Sequence, residues 1–237
     1  MSWGYYDYKP VSKTKADSAK ALEKLKKINP NISPVIIEGR KIANTWWGSA
    51  WNNNLESYAD YSNRIERGKA YVKSGMVLDL QIKTGVVTGL VQGSRKSPYH
   101  ITVKIDKMPS NKWNKIVELC SHRIADMAEL VEGKFPNELA ELFLRQGQGL
   151  FPSPKEIHFD CSCPDWADMC KHVAAVLYGI GARFDNDPML FFKLRDVDFT
   201  ELLKKSIDEK IDSMLKNADK KSKRVIDDAD ISELFGV

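Results

Sequence analysis

Residues 161–172, CSCPDWADMCKH, hold three of the four cysteines in the chain and one of its four histidines. Thiol sulfur and imidazole nitrogen bind metals, and thiols also form disulfides or act as nucleophiles. The segment therefore admits three kinds of chemistry: a disulfide, a metal site or a reactive thiol. The spacing of the four side chains indicates which of these three kinds of chemistry fits best.

The spacing favours a metal ion. Cys161 and Cys163 are one residue apart, so both thiols would project from the same face of a strand. Cys170 and His172 are spaced in the same way, just before the helical sequence VAAVLYGIGA. A strand end and a helix start can then direct three sulfurs and one nitrogen to one point, as tetrahedral zinc requires. The helix N-terminus and Lys171 would stabilise the net negative charge of such a site.

The other two kinds of chemistry fit less well. A disulfide would need an oxidising compartment and would leave one of the three clustered thiols unpaired. A catalytic thiol would need an activating base and has no use for two further cysteines beside it. Four protein ligands leave no open position on zinc, so the sequence predicts one structural Zn²⁺ ion. Cys120 lies on a predicted apolar helix stripe and is expected to be a core thiol.

The ligand pattern also resembles a known motif. Cys-x-Cys, a six-residue loop and Cys-x-His is similar to the SWIM zinc finger, with Cys161, Cys163, Cys170 and His172 as the ligands. The segments WGYYDYKP, GRKIANTWWGSAWNNNLESYADY, GLFPSP and CKHVAAVLYGIGA resemble a family of bacterial SWIM-containing proteins over most of residues 1–195. This resemblance implies a DNA- or protein-binding factor, with a Swi/Snf-type helicase-like ATPase as a possible partner.

The elements that would position this site give an α+β fold. Apolar periodicity predicts an antiparallel β-meander with packed helices, followed by the strand–loop–helix zinc finger within a helical C-terminal half. The predicted regions are a basic N-terminal arm (1–33), a basic α+β region with the meander (34–107), a helical region (108–150), the finger (151–195), a C-terminal helix (196–216), and a flexible linker with an acidic-hydrophobic tail (217–237).

Within the N-terminal half the patterns are specific. Leu22, Leu25 and Ile28 predict a short basic helix ended by Asn29-Pro30, and VIIEG predicts a strand over 35–39. A helix follows, with one aromatic and apolar face formed by Trp47, Trp51, Leu55 and Tyr58. Residues 70–105 alternate as about four strands, with tight turns at Ser74-Gly75 and Thr84-Gly85 and with one face formed by Tyr99, Ile101, Val103 and Ile105.

The C-terminal half is mainly helical. An apolar stripe from Trp113 to Val131 predicts a helix ended by Gly133, and a second helix carries Leu139, Leu142 and Phe143. The sequence KEIHF predicts the strand that leads into the cluster. The helix after the cluster is apolar nearly all round, so we expect it to be buried and not to read DNA bases.

Charge and composition narrow the function. Residues 1–107 carry 18 Lys and Arg against 9 Asp and Glu, although the whole chain has a net charge of only +4. Phosphate contacts, if any, are therefore expected in that half, although a merely solvated basic face fits equally well. The candidates are Arg40, Lys41, Arg64, Arg67 and Lys69. No apolar run is long enough to span a bilayer and no secretory leader is evident, so we expect a cytoplasmic protein without a membrane partner.

Two further segments are candidate docking sites. Trp166, in the finger loop, either docks a partner or covers the zinc site. Ile231, Leu234 and Phe235 recur at helical spacing among acidic residues and either dock into a partner's groove or belong to a disordered terminus.

These observations predict a non-enzymatic accessory factor in DNA transactions. The alternative is a protein–protein adaptor with a purely structural zinc site and no nucleic-acid binding. We expect no enzyme activity, because the sequence has neither a Gly-rich phosphate loop nor a recognisable nucleophile–base signature.

Overall fold

The computed structural model describes residues 11–57, 62–121, 143 and 149–218. Within these residues the helices are α1 (Val11–Ile28), α2 (Trp46–Glu56), α3 (Ser62–Lys73), α4 (Ser110–Ser121), α5 (Lys171–Asn186), α6 (Met189–Leu194) and α7 (Phe199–Ala218). The strands are β1 (Val77–Lys83), β2 (Val86–Val91), β3 (Tyr99–Ile105) and β4 (Ile157–Cys161). The fold is α+β, as predicted. None of these helices is both long and apolar enough to cross a bilayer.

The four strands form one antiparallel sheet in the order β1-β2-β3-β4. The alternation predicted for β3 is confirmed: Tyr99, Ile101, Val103 and Ile105 are buried, while His100 and Lys104 are exposed. The turn between β1 and β2 places Gly85 at a φ of +67°, a backbone conformation that favours glycine. The meander is thus the frame on which the zinc cluster is built.

The origin of the fourth strand differs from the expectation. Residues 70–105 provide three strands rather than about four, and β4 comes from the KEIHF region that was also predicted to be a strand. Residues 70–73 instead belong to α3, because Ile65, Gly68 and Val72 follow helical spacing and form its buried face. Gly75, at a φ of +67°, then forms the turn from α3 into β1.

The strand predicted over 35–39 is wrong. The segment lies beside β1, but the hydrogen bonds are isolated ones, from Val35 N–H to Val77 O at 3.1 Å and from Leu80 N–H to Ser33 O at 2.9 Å. Pro34 has no N–H to donate. The Arg183 side chain also donates to the Ser33 and Pro34 carbonyls, both at 3.0 Å, so this backbone is held by a helix side chain instead of a strand ladder.

The helix after the cluster, α5, is the buried centre of the molecule, as predicted. Eleven of its residues are buried, from His172 to Phe184. The sheet lies against one side, where a Cβ on Gly89 would come within 2.7 Å of Val176. Helices α2 and α3 pack on the other sides. Trp51 ties α2 to this helix by donating its indole N–H to Leu177 O at 2.9 Å.

The remaining predicted helices are described in part. Helix α1 ends at Ile28, before Asn29-Pro30, as predicted, and α7 continues two residues beyond the predicted end at 216. Phe143 is helical and buried. Tyr58, the stripe beyond Ser121, the predicted end at Gly133, Leu139, Leu142 and the tail with Ile231, Leu234 and Phe235 lie outside the described residues. The boundaries proposed for the regions of the chain stay predictions.

Candidate metal centre

The first pair of cysteines is held at the end of β4. Ile101 pairs with Cys161 in the β3–β4 ladder. The next residue continues the attachment: Ser162 N–H donates to His100 O at 3.0 Å, and His100 N–H donates to Ser162 Oγ at 3.0 Å. Cys161 and Cys163 are both half-buried beside this anchor. The sheet therefore fixes the strand side of the cluster.

The second pair lies at the start of α5. Cys170 is the N-cap residue, and its sulfur accepts a hydrogen bond from Val173 N–H at 3.5 Å. His172 is in the first helical turn, and its Nδ1 lies 3.8 Å from Cys170 Sγ. Both residues are only 1% exposed. The cluster is thus closed on the helix side by the core.

The four ligand atoms converge. They lie within 4.8 Å of one another, as the predicted set requires. A sulfur about 2.3 Å and a nitrogen about 2.0 Å from a tetrahedral zinc ion lie about 3.5 Å apart. The 3.8 Å between Cys170 Sγ and His172 Nδ1 is close to this separation, so a small adjustment would let both atoms coordinate one ion. Three sulfurs and one imidazole nitrogen are also a donor set typical of structural zinc. The cluster can therefore hold one Zn²⁺ ion through Cys161, Cys163, Cys170 and His172.

Comparison with known proteins agrees with this geometry. Residues 159–179 match the family model of the SWIM zinc finger. The chain contains a SWIM zinc finger. Over 163 residues it is also 37% identical to an uncharacterized protein of Mycobacterium tuberculosis, a match that covers 68% of this chain and 58% of that protein's length. No solved structure matches the chain.

The environments of the three cysteine thiols in the SWIM finger shift their pKa values in different directions. Hydrogen bonding to the Cys161 thiol, to His172 and to the Val173 N–H lowers the pKa of Cys170. The same hydrogen bond to Cys170, together with burial, raises the pKa of Cys161, and burial raises that of Cys163. Burial lowers the pKa of His172, which favours the neutral imidazole that binds zinc. Because zinc binds the thiolate form of cysteine, we expect zinc uptake to release protons from the thiols.

Aromatic rings enclose the histidine of the SWIM finger. The Tyr99 ring packs on the imidazole with centroids 4.4 Å apart, and Tyr71 approaches it edge-on at 5.6 Å. With Nδ1 directed at Cys170, Nε2 points inward, where a Cβ on Gly93 would come within 2.9 Å of it. This nitrogen is buried without a hydrogen-bond partner among the described residues. Glycine at 93 is thus required by close packing on the ligand ring.

The finger loop is clamped to α3. The Arg64 guanidinium makes two contacts with the Asp165 carboxylate, Nη2 to Oδ1 and Nε to Oδ2, both at 3.1 Å. Ala167 and Met169 of the loop are buried. Trp166, between these fixed points, is 77% exposed and therefore does not form a buried lid over the zinc site.

The five residues predicted to contact phosphate do not lie together in the fold. Thr45 and Asn44 hydrogen-bond to Asp185 near the end of α5, which places the adjacent Arg40 and Lys41 at that end. His172 is at the other end, about 20 Å away at 1.5 Å per residue. Arg64, Arg67 and Lys69 lie on α3 beside the finger. Of these three, Arg64 is engaged by Asp165, and Lys69 pairs with Glu56 and Glu66 at 3.1 Å each.

Other basic residues beside the SWIM finger are absent from the sequence-based candidates. The Arg95 guanidinium lies over the Tyr99 ring, 5.5 Å from its centroid, and Tyr99 packs on His172. Lys96 follows in the same exposed loop. The signal was present in GSRKSP, a Gly- and Pro-bounded loop with two adjacent cations, but only the fold shows that this loop adjoins the finger.

Proposed function

We propose that the protein is a non-enzymatic accessory factor of cytoplasmic DNA transactions that binds nucleic acid at a surface built around its zinc finger. This finger surface consists of Arg67, Lys171, Arg95, Lys96 and Trp166. The zinc ion has a structural role: it joins β4 to α5 and so fixes the positions from which these side chains act. A helicase-like ATPase of the Swi/Snf type, which the SWIM resemblance implies, is the proposed protein partner.

The single observation that carries the proposal is the concentration around the finger of cations that have no carboxylate partner among the described residues. Arg67, Arg95 and Lys96 are exposed and form no ion pair with any described residue. Burial and the nearby Arg67 charge lower the pKa of Lys171, although the Cys163 and Asp165 charges oppose this effect. Neighbouring cations without carboxylate partners repel each other, and phosphate groups would relieve that repulsion.

The α5 helix does not take part in base recognition in this proposal. Its residues from His172 to Tyr178 are buried, so no side chain of this stretch can enter a groove. The contacts come instead from α3, the β2–β3 loop, the finger loop and Lys171, the first residue of α5. Contacts of this kind bind phosphate groups and carry little sequence information.

A salt titration tests the proposal. Zinc-loaded full-length protein is titrated against labelled DNA at salt concentrations from about 50 to 200 mM, where phosphate contacts weaken steeply. We expect the double variant Arg67→Gln/Lys96→Gln to bind more weakly and to lower the slope of log affinity against log salt by about 1.5 to 2. The matched control Arg40→Gln/Lys41→Gln removes the same charge at the far end of α5. Equal slopes for wild type and both variants would contradict the proposed surface.

One observation favours the alternative adaptor function. The C-terminal part of α7 exposes four apolar side chains, each between 46% and 64%: Ile207, Ile211, Met214 and Leu215. Such a face suits a protein partner. The docking role of Ile231, Leu234 and Phe235 stays a prediction. An adaptor of this kind would bind a protein through α7 and would show no salt-dependent DNA binding in the titration above.

A further inference from the structure

We infer that the finger surface accepts single-stranded nucleic acid, with Trp166 as the side chain on which a base stacks. This inference rests on the proposed function and narrows its ligand class. It depends on the rigidity of the finger loop, on the exposure of the indole and on the charges that surround it.

The loop presents Trp166 in a fixed position. Asp165, directly before it, is held by the two contacts with Arg64 and is itself only 13% exposed. Ala167, directly after it, is 8% exposed, and Met169 is 3% exposed. These anchored neighbours fix the backbone from which the 77% exposed indole projects, so little backbone entropy is lost when a flat ligand binds. The loop thus provides a preorganised aromatic platform.

Charge indicates what this platform accepts. Arg64 neutralises Asp165, which leaves Asp168 as the exposed carboxylate of the loop. Arg67 lies one helical turn beyond Arg64 on α3, and Lys171 immediately follows Cys170. These two cations outnumber the single carboxylate, and Arg95 and Lys96 add to them. A partner that carries negative charge and presents flat aromatic faces would engage both the cations and the exposed indole, whereas an apolar helix would leave the cations without a partner.

Stacking of a base on the Trp166 indole is possible for a single strand but not for a duplex. In a duplex the faces of the bases are covered by their neighbours, so an exposed indole on a short loop cannot reach them. A single strand offers every base face, and aromatic stacking contributes about 1–3 kcal/mol per base, with phosphates held in a basic groove beside it. One exposed indole near several cations provides the two features that single-strand binding combines, base stacking and phosphate attraction.

The experiment compares a labelled oligo-dT strand with a duplex of equal length, using zinc-loaded full-length protein. We expect tighter binding of the single strand, and quenching of tryptophan fluorescence when it binds. Trp166→Ala should weaken single-strand binding about 5- to 150-fold, which corresponds to 1–3 kcal/mol. Because the indole is uncharged, the salt slope should not change. Trp166→Phe keeps an aromatic ring and should restore most of the affinity.

The control is Ile36→Ala. Ile36 is 74% exposed but lies in the segment beside β1, at the opposite edge of the sheet from β4 and the finger. If DNA binds in a salt-dependent manner but Trp166→Ala binds like wild type, or duplex is preferred, the inference is wrong and the proposed function stands. If neither DNA binds, the inference and the proposed function both fail.

Discussion

Arg195 is a charged side chain that the fold buries almost completely. It is 1% exposed, and its guanidinium donates to Glu156 Oε1 at 2.8 Å and to Asp106 O at 2.9 Å. The other carboxylate oxygen of Glu156 accepts from the Ser153 N–H and hydroxyl, both at 2.8 Å. Burial alone would raise the pKa of Glu156, but these hydrogen bonds hold it at about 2 instead of its ordinary 4.5. The buried cation is thus matched by a carboxylate that stays ionised.

This pair predicts a pH-dependent stability. Because the pKa of Glu156 is lower in the folded than in the unfolded chain, its ionised form stabilises the fold above about pH 4.5, and this contribution decreases as the pH falls toward 2. Glu156→Gln should lower the free energy of unfolding at pH 7 by about 1.5–3 kcal/mol. The difference from wild type should narrow below about pH 4.5. Denaturant unfolding at a series of pH values measures both effects.

The control for this prediction is Glu66→Gln. Glu66 is 73% exposed and pairs with Lys69 on the surface of α3, where an ion pair contributes about 1 kcal/mol or less. A difference between Glu156→Gln and wild type that stays constant from pH 7 to pH 3 would show that the charge of Glu156 is not what stabilises the fold.

Single residues were predictable where their partners are close in sequence. The four zinc ligands lie within twelve residues, so their types and spacing were sufficient. Arg64 was assigned to phosphate because its partner is 101 residues away, in the finger loop. Local sequence patterns do not show contacts between residues so far apart along the chain. The pairing of Arg195 with Glu156, 39 residues apart, could not be predicted for the same reason.

At the scale of elements, α5 depends on close approaches that only small residues permit. A Cβ on Gly68 of α3 would lie 2.5 Å from the Ala174 Cβ, and a Cβ on Gly181 would lie 2.4 Å from Asn52 Oδ1. Both distances are shorter than carbon contacts allow, so each glycine lets a neighbouring helix lie directly against α5. The helix that carries Cys170 and His172 is thereby fixed on several sides.

Substitution at Gly68 tests this packing. Gly68→Val should destabilise the protein by about 1–3 kcal/mol, because the added side chain must displace α3 from α5. Ala70→Val places the same β-branched residue at an exposed position of the same helix and should have little effect. Thermal unfolding of both zinc-loaded variants measures the difference. Equal melting temperatures would show that the approach of α3 to α5 is not tight.

Helices and strands were predictable where the pattern of apolar residues reflects how the element is buried. The alternation of β3 and the all-apolar sequence of α5 indicated their environments correctly. The strand predicted at 35–39 failed because Val35 is buried beside β1 while Ile36 is exposed, and Arg183 takes the backbone carbonyls of the two residues before Val35. The pairing of β4 with β3 could not be predicted either, since 51 residues separate the two strands.

At the scale of the whole molecule, the zinc finger and the core are one structure. The strand side of the finger belongs to the sheet edge, and its helix side is the first turn of α5, which the sheet, α2 and α3 surround. Loss of the metal would leave three thiols and a buried imidazole without a common partner. Zinc binding is therefore coupled to the stability of the entire fold and not only to the loop.

The most direct test is the zinc content of the purified full-length protein and of ligand variants, measured by elemental analysis together with the melting temperature. We predict one zinc ion per chain in wild type and in the control Cys120→Ala, whose thiol lies outside the cluster. Cys163→Ser and His172→Ala should retain little zinc and melt at lower temperature. Wild-type protein that contains no zinc when purified without chelator, or ligand variants with full zinc content, would contradict the account.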